Sequence, residues 1–581
     1  MKSSFRILFG MRDDGQMTEP MALMLLSALA KKYFDVEVGL WVMERDDLCD
    51  TIKRFHPDIA AFSGITGSHK YYIEAAYRIK KIDKRVKIIV GGPHFTFFPG
   101  EIVHHSCIDA LCVGEGDDAW VEWLSALINN GNQNEIPNIV TRENMNHILN
   151  GNALNPEFMR GRKTNLDDLP FLDRGLVYDN TEFRYRYKRT IMASRGCPFR
   201  CTYCFEHQWN ELYRNVRNSG AIRQLYSVDR LLDELGDFTR RYDTRFIKFY
   251  DDVFPPFPNL KEKTWHEEFC EKYPKRIGLP FHVLTRCDLV VNLLENHDAD
   301  ILTNLKKAGM ASVSMSIESG NQFIRDYVIR RDMTKSDIEK AFSHAWKIGL
   351  PTFSNTILGI PAPILSKPEE IVRQFEILSK LNGCRINPKK AGLRESYKEY
   401  DKESVRFTLA RKPGFPEFPI LFPYPKTKAT QWCVKIGAFD GNFSKLHESY
   451  QEVSYLDCYD SEYKKVMHNL ALLGSFCALF SGSRNFLMQW LNPLVQKICL
   501  DWLTEVIHPK ATRFYGWLYV FSKHWMHFHR TYPMKTSFRE RFRFFRKLIE
   551  LDFFKQFKER KKKFLHRSER QGQTLGGPPS I

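Results

Sequence analysis

The sequence lacks a long apolar run. Nowhere do about 18 uncharged apolar residues follow one another, as a membrane-spanning helix requires. The N-terminus has a basic start, but Arg12, Asp13 and Asp14 end its short apolar stretch, which argues against a secretory signal peptide. We therefore expect a cytoplasmic protein.

The chain also lacks the dense cysteine pattern of small secreted domains. Its 13 cysteines are spread over 581 residues, and an odd number scattered in this way does not indicate a disulfide framework. Three of them, Cys197, Cys201 and Cys204, fall within eight residues. Most of the others are expected to be ordinary buried thiols.

The composition is not that of a disordered chain. Hydrophobic residues make up 43% and aromatic residues 14% of the sequence, enough to build several cores. The net charge is +17, and the last fifty residues carry much of the excess. A solvated basic tail is the simplest interpretation, and an anionic membrane surface or a nucleic acid is the functional alternative.

Residues 1–130 alternate between short apolar strands and amphipathic helices. The predicted strands are Arg6–Gly10, Asp35–Leu40, Asp58–Ser63, Lys87–Gly92 and Asp109–Val113. The predicted helices are Met21–Tyr33, Asp47–Phe55, His69–Lys81 and Asp117–Asn129. This alternation predicts a Rossmann-like, doubly wound α/β domain with a parallel sheet. Ligands of such sheets bind beyond the C-terminal ends of the strands.

A second series of strands and helices starts near residue 189. Its predicted strands are Thr190–Ser194, Phe246–Tyr250, Phe281–Leu284, Ser312–Ile317 and Pro351–Ile357, with a sixth near Cys384–Asn387. The helices between them are Val228–Arg241, Ile301–Ala308, Lys335–Ile348 and Pro368–Leu381. The pattern predicts a partial (β/α)6 barrel of the TIM type over residues 189–400. Residues 131–188 are predicted to be a linker, and residues 401–581 a mainly helical C-terminal domain with a basic tail.

The three clustered cysteines directly follow a predicted strand, with the spacing C-x3-C-x2-C. Three thiolates on one loop can hold three irons of a cubane cluster and leave the fourth iron open for a small molecule. A structural zinc site is the alternative, because His207 lies three residues after Cys204 and completes a Cys3His set. An electron-transfer cluster would need a fourth cysteine nearby, and the sequence has none there.

This cysteine motif, with Tyr203 before its last cysteine, resembles that of the radical S-adenosylmethionine (SAM) superfamily. The resemblance implies a [4Fe–4S] cluster on Cys197, Cys201 and Cys204, with SAM bound at the open iron. It also implies contacts to SAM from several strand ends. These residues are Tyr203, Tyr250, Asp251, Asp252, Glu318, Ser319 and Gly359. Arg286 would meet the SAM carboxylate or form a structural ion pair, and Asn387–Gly392 departs from the family's sixth-strand motif.

Glycine-bearing turns follow three strands of the N-terminal domain. They contain Ser63 and Thr66, Gly91 and Gly92, and Gly114, and glycine there permits a large flat ligand to approach the backbone. The set resembles the cobalamin-binding (B12-binding) domain that precedes many radical SAM barrels. The Asp-x-His-x-x-Gly motif that supplies a cobalt ligand is missing, and His94 is interpreted as a loop or supporting residue. A vestigial domain that no longer binds cobalamin is the alternative.

The resemblance implies an enzyme that reductively cleaves SAM to start radical chemistry on an unreactive carbon. With cobalamin present, methyl transfer to that carbon is the expected outcome. Oxidative cyclisation or rearrangement, as in anaerobic porphyrin cyclases, is the alternative, and a non-enzymatic zinc-stapled binding protein is a third. Expected partners are a small-molecule substrate and an external one-electron reductant of the flavodoxin or ferredoxin type. No motif identifies a catalytic residue or the substrate.

Near the C-terminus, Phe538–Ile549 interleaves aromatic and basic residues, and Lys561–Lys563 follows. On a helix, Phe538, Phe542 and Phe545 would share one face. That face is expected to pack on the barrel. Peripheral docking to an anionic membrane is the alternative, whereas no recognisable nucleic-acid-binding fold is present.

Overall fold

The computed structural model describes residues 5–13, 19–150, 153–257, 259–386, 392–446, 453–534, 536–537 and 539–540. The chain divides into two units, residues 1–533 and residues 534–581. All elements named below belong to the first unit. The predicted aromatic and basic helix from Phe538 lies almost entirely outside the described residues.

The N-terminal region forms a six-stranded sheet with the strand order β2-β1-β3-β4-β5-β6. Its strands are β1 (Phe5–Met11), β2 (Val36–Val42), β3 (Ile59–Ser63), β4 (Lys87–Gly91), β5 (Ala110–Cys112) and β6 (Ile139–Val140). Its helices of seven or more residues are α1 (Met21–Tyr33), α2 (Leu48–Phe55), α3 (His69–Ile82) and α4 (Asp117–Ile128). All strand pairs are parallel except β5 with β6. The predicted doubly wound α/β fold is confirmed.

A second six-stranded sheet is entirely parallel, and its strands lie side by side in chain order. The strands are β7 (Lys188–Ile191), β8 (Phe246–Phe249), β9 (Phe281–Thr285), β10 (Met310–Met315), β11 (Thr352–Asn355) and β12 (Phe415–Glu417). The accompanying helices are α5 (Phe205–Tyr213), α6 (Val228–Arg241), α7 (Leu260–Arg276), α8 (Cys287–Asn296), α9 (Ile301–Lys307), α10 (Lys335–Lys347), α11 (Pro368–Asn382) and α12 (Tyr397–Ala410). With β7 and β12 at its edges, the sheet has the strand number expected of a partial barrel.

The position predicted for the sixth strand is wrong. Cys384–Ile386 lies in the turn after α11, and Asn387 is outside the described residues. The sixth strand is instead β12, which pairs with β11 and follows α12. Because this strand has only three residues, it has no detectable periodicity in the sequence. It contains Pro416, which is tolerated because the strand is at the edge of the sheet. The sheet therefore extends past residue 400, where the sequence places the end of the barrel.

The segment predicted as a linker packs closely against both sheets. Leu176, Val177 and Tyr178 are buried. Arg174 forms a buried ion pair with Glu19 at 2.9 Å and also donates to the carbonyl oxygen of Thr190 in β7. The segment therefore fixes the start of the second sheet against the N-terminal region.

The C-terminal region is helical. Its helices are α13 (Lys428–Lys435), α14 (Ser461–Ser481), α15 (Phe486–Lys497) and α16 (Pro509–Met526). The end of this region closes the second sheet, because Ser312 of β10 donates to the carbonyl oxygen of Thr531 and the Tyr532 ring lies 5.3 Å from that of His282. In the described part of the chain, no helix has the length and apolarity needed to span a membrane.

Candidate cofactor site between the two sheets

The cysteine loop begins where β7 ends. Ser194 and Arg195 pair antiparallel with Leu225 and Gln224. Gly196 then adopts a φ of +82°, and a Cβ at this position would lie 1.9 Å from the carbonyl oxygen of Ile222. Only glycine fits so tight a turn.

The loop ends at the start of helix α5. The backbone N–H of Cys204 donates to the carbonyl oxygen of Cys201 at 3.2 Å, and Cys204 is the residue that precedes the first turn of α5. Burial raises the pKa of the Cys197 thiol to about 12 and that of Cys204 well above its usual value. A bound metal ion would favour the thiolate forms of these cysteines.

Two arginines flank the middle cysteine. The guanidinium groups of Arg286 and Arg331 each lie 3.6 Å from the Sγ atom of Cys201. Arg286 also forms an ion pair with Asp288 at 2.8 Å, which is the structural role favoured for it in the sequence analysis. The sequence does not indicate that Arg331 approaches Cys201, because this contact depends on the packing of distant segments. Together the two cations offset negative charge on a thiolate cluster.

Among the described residues, no three His, Cys, Asp or Glu side chains converge on a site for one metal ion. A cubane does not need such convergence, because each of its three cysteines binds a different iron. The donor set and loop of Cys197, Cys201 and Cys204 therefore fit a [4Fe–4S] cluster.

Asp251 anchors the strand that leads into the loop. Its carboxylate accepts hydrogen bonds from the backbone N–H of Ala193, at 3.0 Å to the nearer oxygen, and from the Ser194 hydroxyl. Burial raises the pKa of Asp251 to about 6, against the effect of these bonds. The sequence predicts a contact between Asp251 and SAM, and the structure adds that its carboxylate positions the strand that leads into the loop.

We expect Asp251→Ala to weaken the cluster site. The substitution leaves the N–H of Ala193 and the Ser194 hydroxyl buried without a partner, at a cost of roughly 1–3 kcal/mol. Iron content after reconstitution and the unfolding temperature should both fall. The control is Asp243→Ala, which removes an exposed carboxylate. Equal iron content in the two variants would contradict the anchoring role of Asp251.

The other residues predicted to bind SAM lie at the ends of β8, β10 and β11. Glu318 is buried with a φ of +67°, and burial raises the pKa of its carboxyl group, against the effects of Arg331 and Tyr203. Ser319 lies 3.4 Å from Ser404 of α12 through their hydroxyl oxygens. The N–H of Gly359 donates to Asp401, also of α12, at 2.9 Å. The support of these strand ends by α12 was not predicted from the sequence, because it depends on contacts between distant segments.

A cavity of about 440 Å³ lies between the ends of the two sheets. The N-terminal sheet contributes Ser63, Gly91, Gly92 and Gly114 to its wall, all of them predicted ligand contacts. The facing wall includes Gly196 and Glu206 of the cysteine loop region and Asp252 at the end of β8. Apolar side chains make up much of the remaining lining, among them Leu25, Leu26, Trp120, Leu172 and Ile191, and charged side chains such as Glu115, Arg162 and Glu234 join them. This cavity fits a flat, largely apolar ligand that faces the cluster loop.

Thr66 and His94 stand behind the cavity wall. The Thr66 hydroxyl lies 2.9 Å from Nδ1 of His94, whose ring stacks on that of His69 at 3.5 Å. Burial lowers the pKa of His94. His94 therefore supports the turn, as interpreted from the sequence.

The reason why position 92 requires glycine differs from the one expected from the sequence, which was the space needed by a flat ligand. A Cβ there would lie 2.8 Å from Oγ of Ser63 and 2.9 Å from the carbonyl oxygen of Gly64, and φ is +91°. A side chain at this position would therefore strain the turn itself, whatever the ligand requires.

Two family models match the chain. A B12 binding domain model matches residues 11–124, and a Radical SAM superfamily model matches residues 191–376. Together they cover just over half of the sequence. The two matches imply a [4Fe–4S] cluster, SAM and cobalamin as cofactors. The alternative interpretation of the chain as a non-enzymatic, zinc-stapled binding protein is therefore wrong.

Two relatives show what kinds of enzyme are similar. An uncharacterized methyltransferase of Pyrococcus horikoshii is 25% identical over 388 residues, which cover 63% of this chain and 77% of the relative. An anaerobic magnesium-protoporphyrin IX monomethyl ester cyclase of Rubrivivax gelatinosus is 24% identical over 326 residues, 55% of this chain and 54% of the relative. The chain thus spans about half the length of the cyclase.

Solved structures share the fold. The radical SAM methyltransferase TsrM from Kitasatospora setae superimposes with a TM-score of 0.53 at 16% identity, over 74% of this chain and 77% of TsrM. The cobalamin-dependent SAM radical enzyme OxsB gives a TM-score of 0.58 at 15% identity, over 90% of this chain and 76% of OxsB. With the two domain matches, these findings assign the chain to the radical SAM enzymes that carry an N-terminal B12-binding domain.

Proposed function

We propose that this enzyme is a cobalamin-dependent methyltransferase that acts on an unactivated carbon. The observation that carries the proposal is the cavity shared by the glycine-bearing strand ends of the N-terminal sheet and the cysteine loop of the second sheet. A corrin on the first wall would face the cluster region on the second. The methyltransferase relative supports the same activity.

In this proposal Cys197, Cys201 and Cys204 hold the cluster. SAM is held by Tyr203 of the cysteine loop and by the strand-end residues Tyr250, Asp252, Glu318, Ser319 and Gly359, with Arg286 beside it. The corrin is held at Ser63, Gly91, Gly92 and Gly114, with Thr66 supporting the turn. When bound, these groups supply one-electron cleavage of SAM and delivery of a methyl group to carbon.

The residues of the chain would shield and orient this chemistry. The apolar wall of the cavity excludes water from the region between the two cofactors. Arg286 and Arg331 place positive charge beside Cys201. Arg195 of the cysteine loop forms an ion pair with Asp117 of α4 at 2.6 Å, so the two walls are held together.

Oxidative cyclisation is the second candidate, because the cyclase relative aligns with a comparable share of this chain. The products separate the two. Anaerobic reconstitution with SAM and dithionite, with and without cobalamin, should yield 5′-deoxyadenosine together with S-adenosylhomocysteine if methyl groups are transferred. Formation of 5′-deoxyadenosine alone, whether or not cobalamin is added, would favour the cyclase type. A small-molecule substrate and an external one-electron reductant, for which dithionite stands in, are the partners we propose.

A peripheral membrane contact is proposed on a surface that the sequence did not reveal. Helix α16 exposes Phe514, Trp517, Phe521 and Trp525, which its 3.6-residue period places on one face. Helix α15 exposes Phe486, Leu487, Trp490 and Leu494 on one face in the same way. Apolar surfaces of this extent mark interaction sites.

The charges around these faces favour an anionic lipid surface. Lys497, Lys510 and Arg513 lie on the same two helices, whereas the nearby carboxylates Asp501 and Glu505 are paired with cations of α12. In sequence alone, residues 534–581 are also basic, with 14 Lys and Arg against five Asp and Glu. Tryptophan beside lysine and arginine is the composition of membrane-surface helices.

We expect full-length protein to sediment with vesicles of phosphatidylcholine and phosphatidylglycerol and to be released by high salt. Replacing Trp517, Phe521 and Trp525 together with alanine should reduce binding about tenfold or more, since each aromatic side chain contributes roughly 1.5–3 kcal/mol on burial. Tyr185→Ala, at an exposed aromatic residue elsewhere, is the control. Unchanged sedimentation of the triple variant would contradict the proposal. If the triple variant lost self-association and kept its vesicle binding, the surface would be assigned to contact with a second copy of the chain.

A further inference from the structure

One face of the second sheet carries polar and charged side chains. In the register of the sheet, Lys188 of β7 lies beside Phe246, and Lys248 of β8 lies beside Thr190. Residues that are neighbours in register point to the same face of a sheet, and so do residues two apart in a strand. Lys188 and Lys248 therefore share a face, together with Tyr250.

That face is the inner face of the partial barrel. The other face of β8, which includes Phe249, packs against Phe269 and Tyr273 of helix α7. On the inner side, the end of the C-terminal region covers the lysines, and the Nζ atom of Lys188 lies 4.3 Å from the centroid of the Tyr532 ring. Both lysines keep part of their surface accessible although protein surrounds them.

Neither ammonium group has a carboxylate partner within the described part of the chain. Two carboxylates favour the charged forms of the lysines from a distance, but each carboxylate forms an ion pair with another cation. Glu19 is ion-paired with Arg174 at 2.9 Å, and Glu417 is ion-paired with Lys523 at 2.5 Å. Burial, reinforced by repulsion from Lys248, lowers the pKa of Lys188 to about 7. Burial lowers the pKa of Lys248 to about 8.

Lys248 contacts an aromatic residue that directly follows β8. The Nζ atom of Lys248 lies 4.5 Å from the centroid of the Tyr250 ring. Tyr424 in turn is close enough to both Tyr250 and Cys204 for their charges to act on its hydroxyl. Lys188 begins β7, the strand that leads into the cysteine loop, so the face that carries the two lysines runs along the sheet toward that loop.

We propose that Lys188 and Lys248 form a binding site for an anionic group of the substrate, a carboxylate or a phosphate or phosphonate. Two buried cations without a counterion are costly, and a bound anion removes that cost. The anion would fix one end of the substrate inside the barrel and direct the remainder toward the cluster loop. This inference rests on the proposed function, because it assigns the barrel interior to the substrate.

The probe for this site is pyridoxal 5′-phosphate, which carries both a phosphate and an amine-reactive aldehyde. Anaerobically reconstituted holoenzyme is treated with it near neutral pH, reduced with borohydride and mapped by mass spectrometry. A lysine with a lowered pKa beside a second cation should react fastest. We expect modification of Lys188 or Lys248 at least about tenfold faster than that of Lys275, an exposed lysine on α7.

Protection and variants decide the assignment. Inorganic pyrophosphate and succinate should each slow the modification of the pair, and the stronger protector distinguishes a phosphate-type ligand from a carboxylate. Lys188→Met should slow labelling of Lys248, whereas Lys275→Met should not. Labelling of the pair no faster than that of Lys275, or labelling that neither anion suppresses, would overturn the proposal. Iron and corrin contents measured on the same samples test the proposed function separately.

Discussion

Replacing Cys201 with alanine is expected to lower the rate of 5′-deoxyadenosine formation by about 100-fold or more. Groups that only support metal ligands already contribute about 10–100-fold, and Cys201 is predicted to bind an iron directly. Its Sγ atom is also the one that both Arg286 and Arg331 approach. The same result is expected for Cys197→Ala and Cys204→Ala, and product formation in anaerobic assays with dithionite and SAM measures it.

Cys384→Ala is the matched control, because Cys384 is an exposed free thiol outside the cysteine loop. This variant should retain its iron and its activity. If the triple variant of Cys197, Cys201 and Cys204 kept its brown colour and full 5′-deoxyadenosine production, the assignment of the cluster to this loop would be wrong.

Substituting Ala22 with tryptophan is expected to weaken cobalamin binding. Ala22 lies in the first turn of α1, is exposed and lines the cavity between the two sheets. A large side chain there would occupy space that the corrin needs. Overpacking costs of about 1–3 kcal/mol correspond to a loss of affinity of roughly 5–150-fold. Corrin absorbance that remains after desalting measures the effect.

Ala22→Ser is the control, since serine adds a single oxygen atom and should leave corrin retention unchanged. Gly92 is a poorer test position, because any side chain there would strain its own turn. Corrin retention by Ala22→Trp equal to that of wild type would place the ligand elsewhere. Failure of the wild type to retain corrin would favour a vestigial N-terminal domain.

Most of the α/β framework was predictable because its periodicity is local. Helix α6 has the predicted limits, Val228–Arg241, and the side chain of Ser227 caps its first turn by accepting a hydrogen bond from the N–H of Arg230. The cysteine loop was predictable for the same reason, since its three cysteines and Gly196 lie within one short segment. The predicted site residues Ser63, Gly91, Gly92 and Gly114 also meet at one cavity.

The features that were missed depend on contacts between distant segments. Nothing near Arg331 in the sequence indicates that it approaches Cys201, 130 residues away. Strand β12 is too short for periodicity, and the supposed linker is held by Arg174, whose partner Glu19 is 155 residues away. Lys188 and Lys248 would be taken for surface residues, because only the closure of the sheet by Tyr532 places them inside.

The most direct test of the cluster assignment is electron paramagnetic resonance of the anaerobically reconstituted, dithionite-reduced chain before and after addition of SAM, with iron and acid-labile sulfide measured on the same sample. We expect about four irons per chain and the signal of a reduced [4Fe–4S] cluster that changes when SAM binds the open iron. One zinc per chain, or a cluster signal that SAM leaves unchanged, would contradict the assignment.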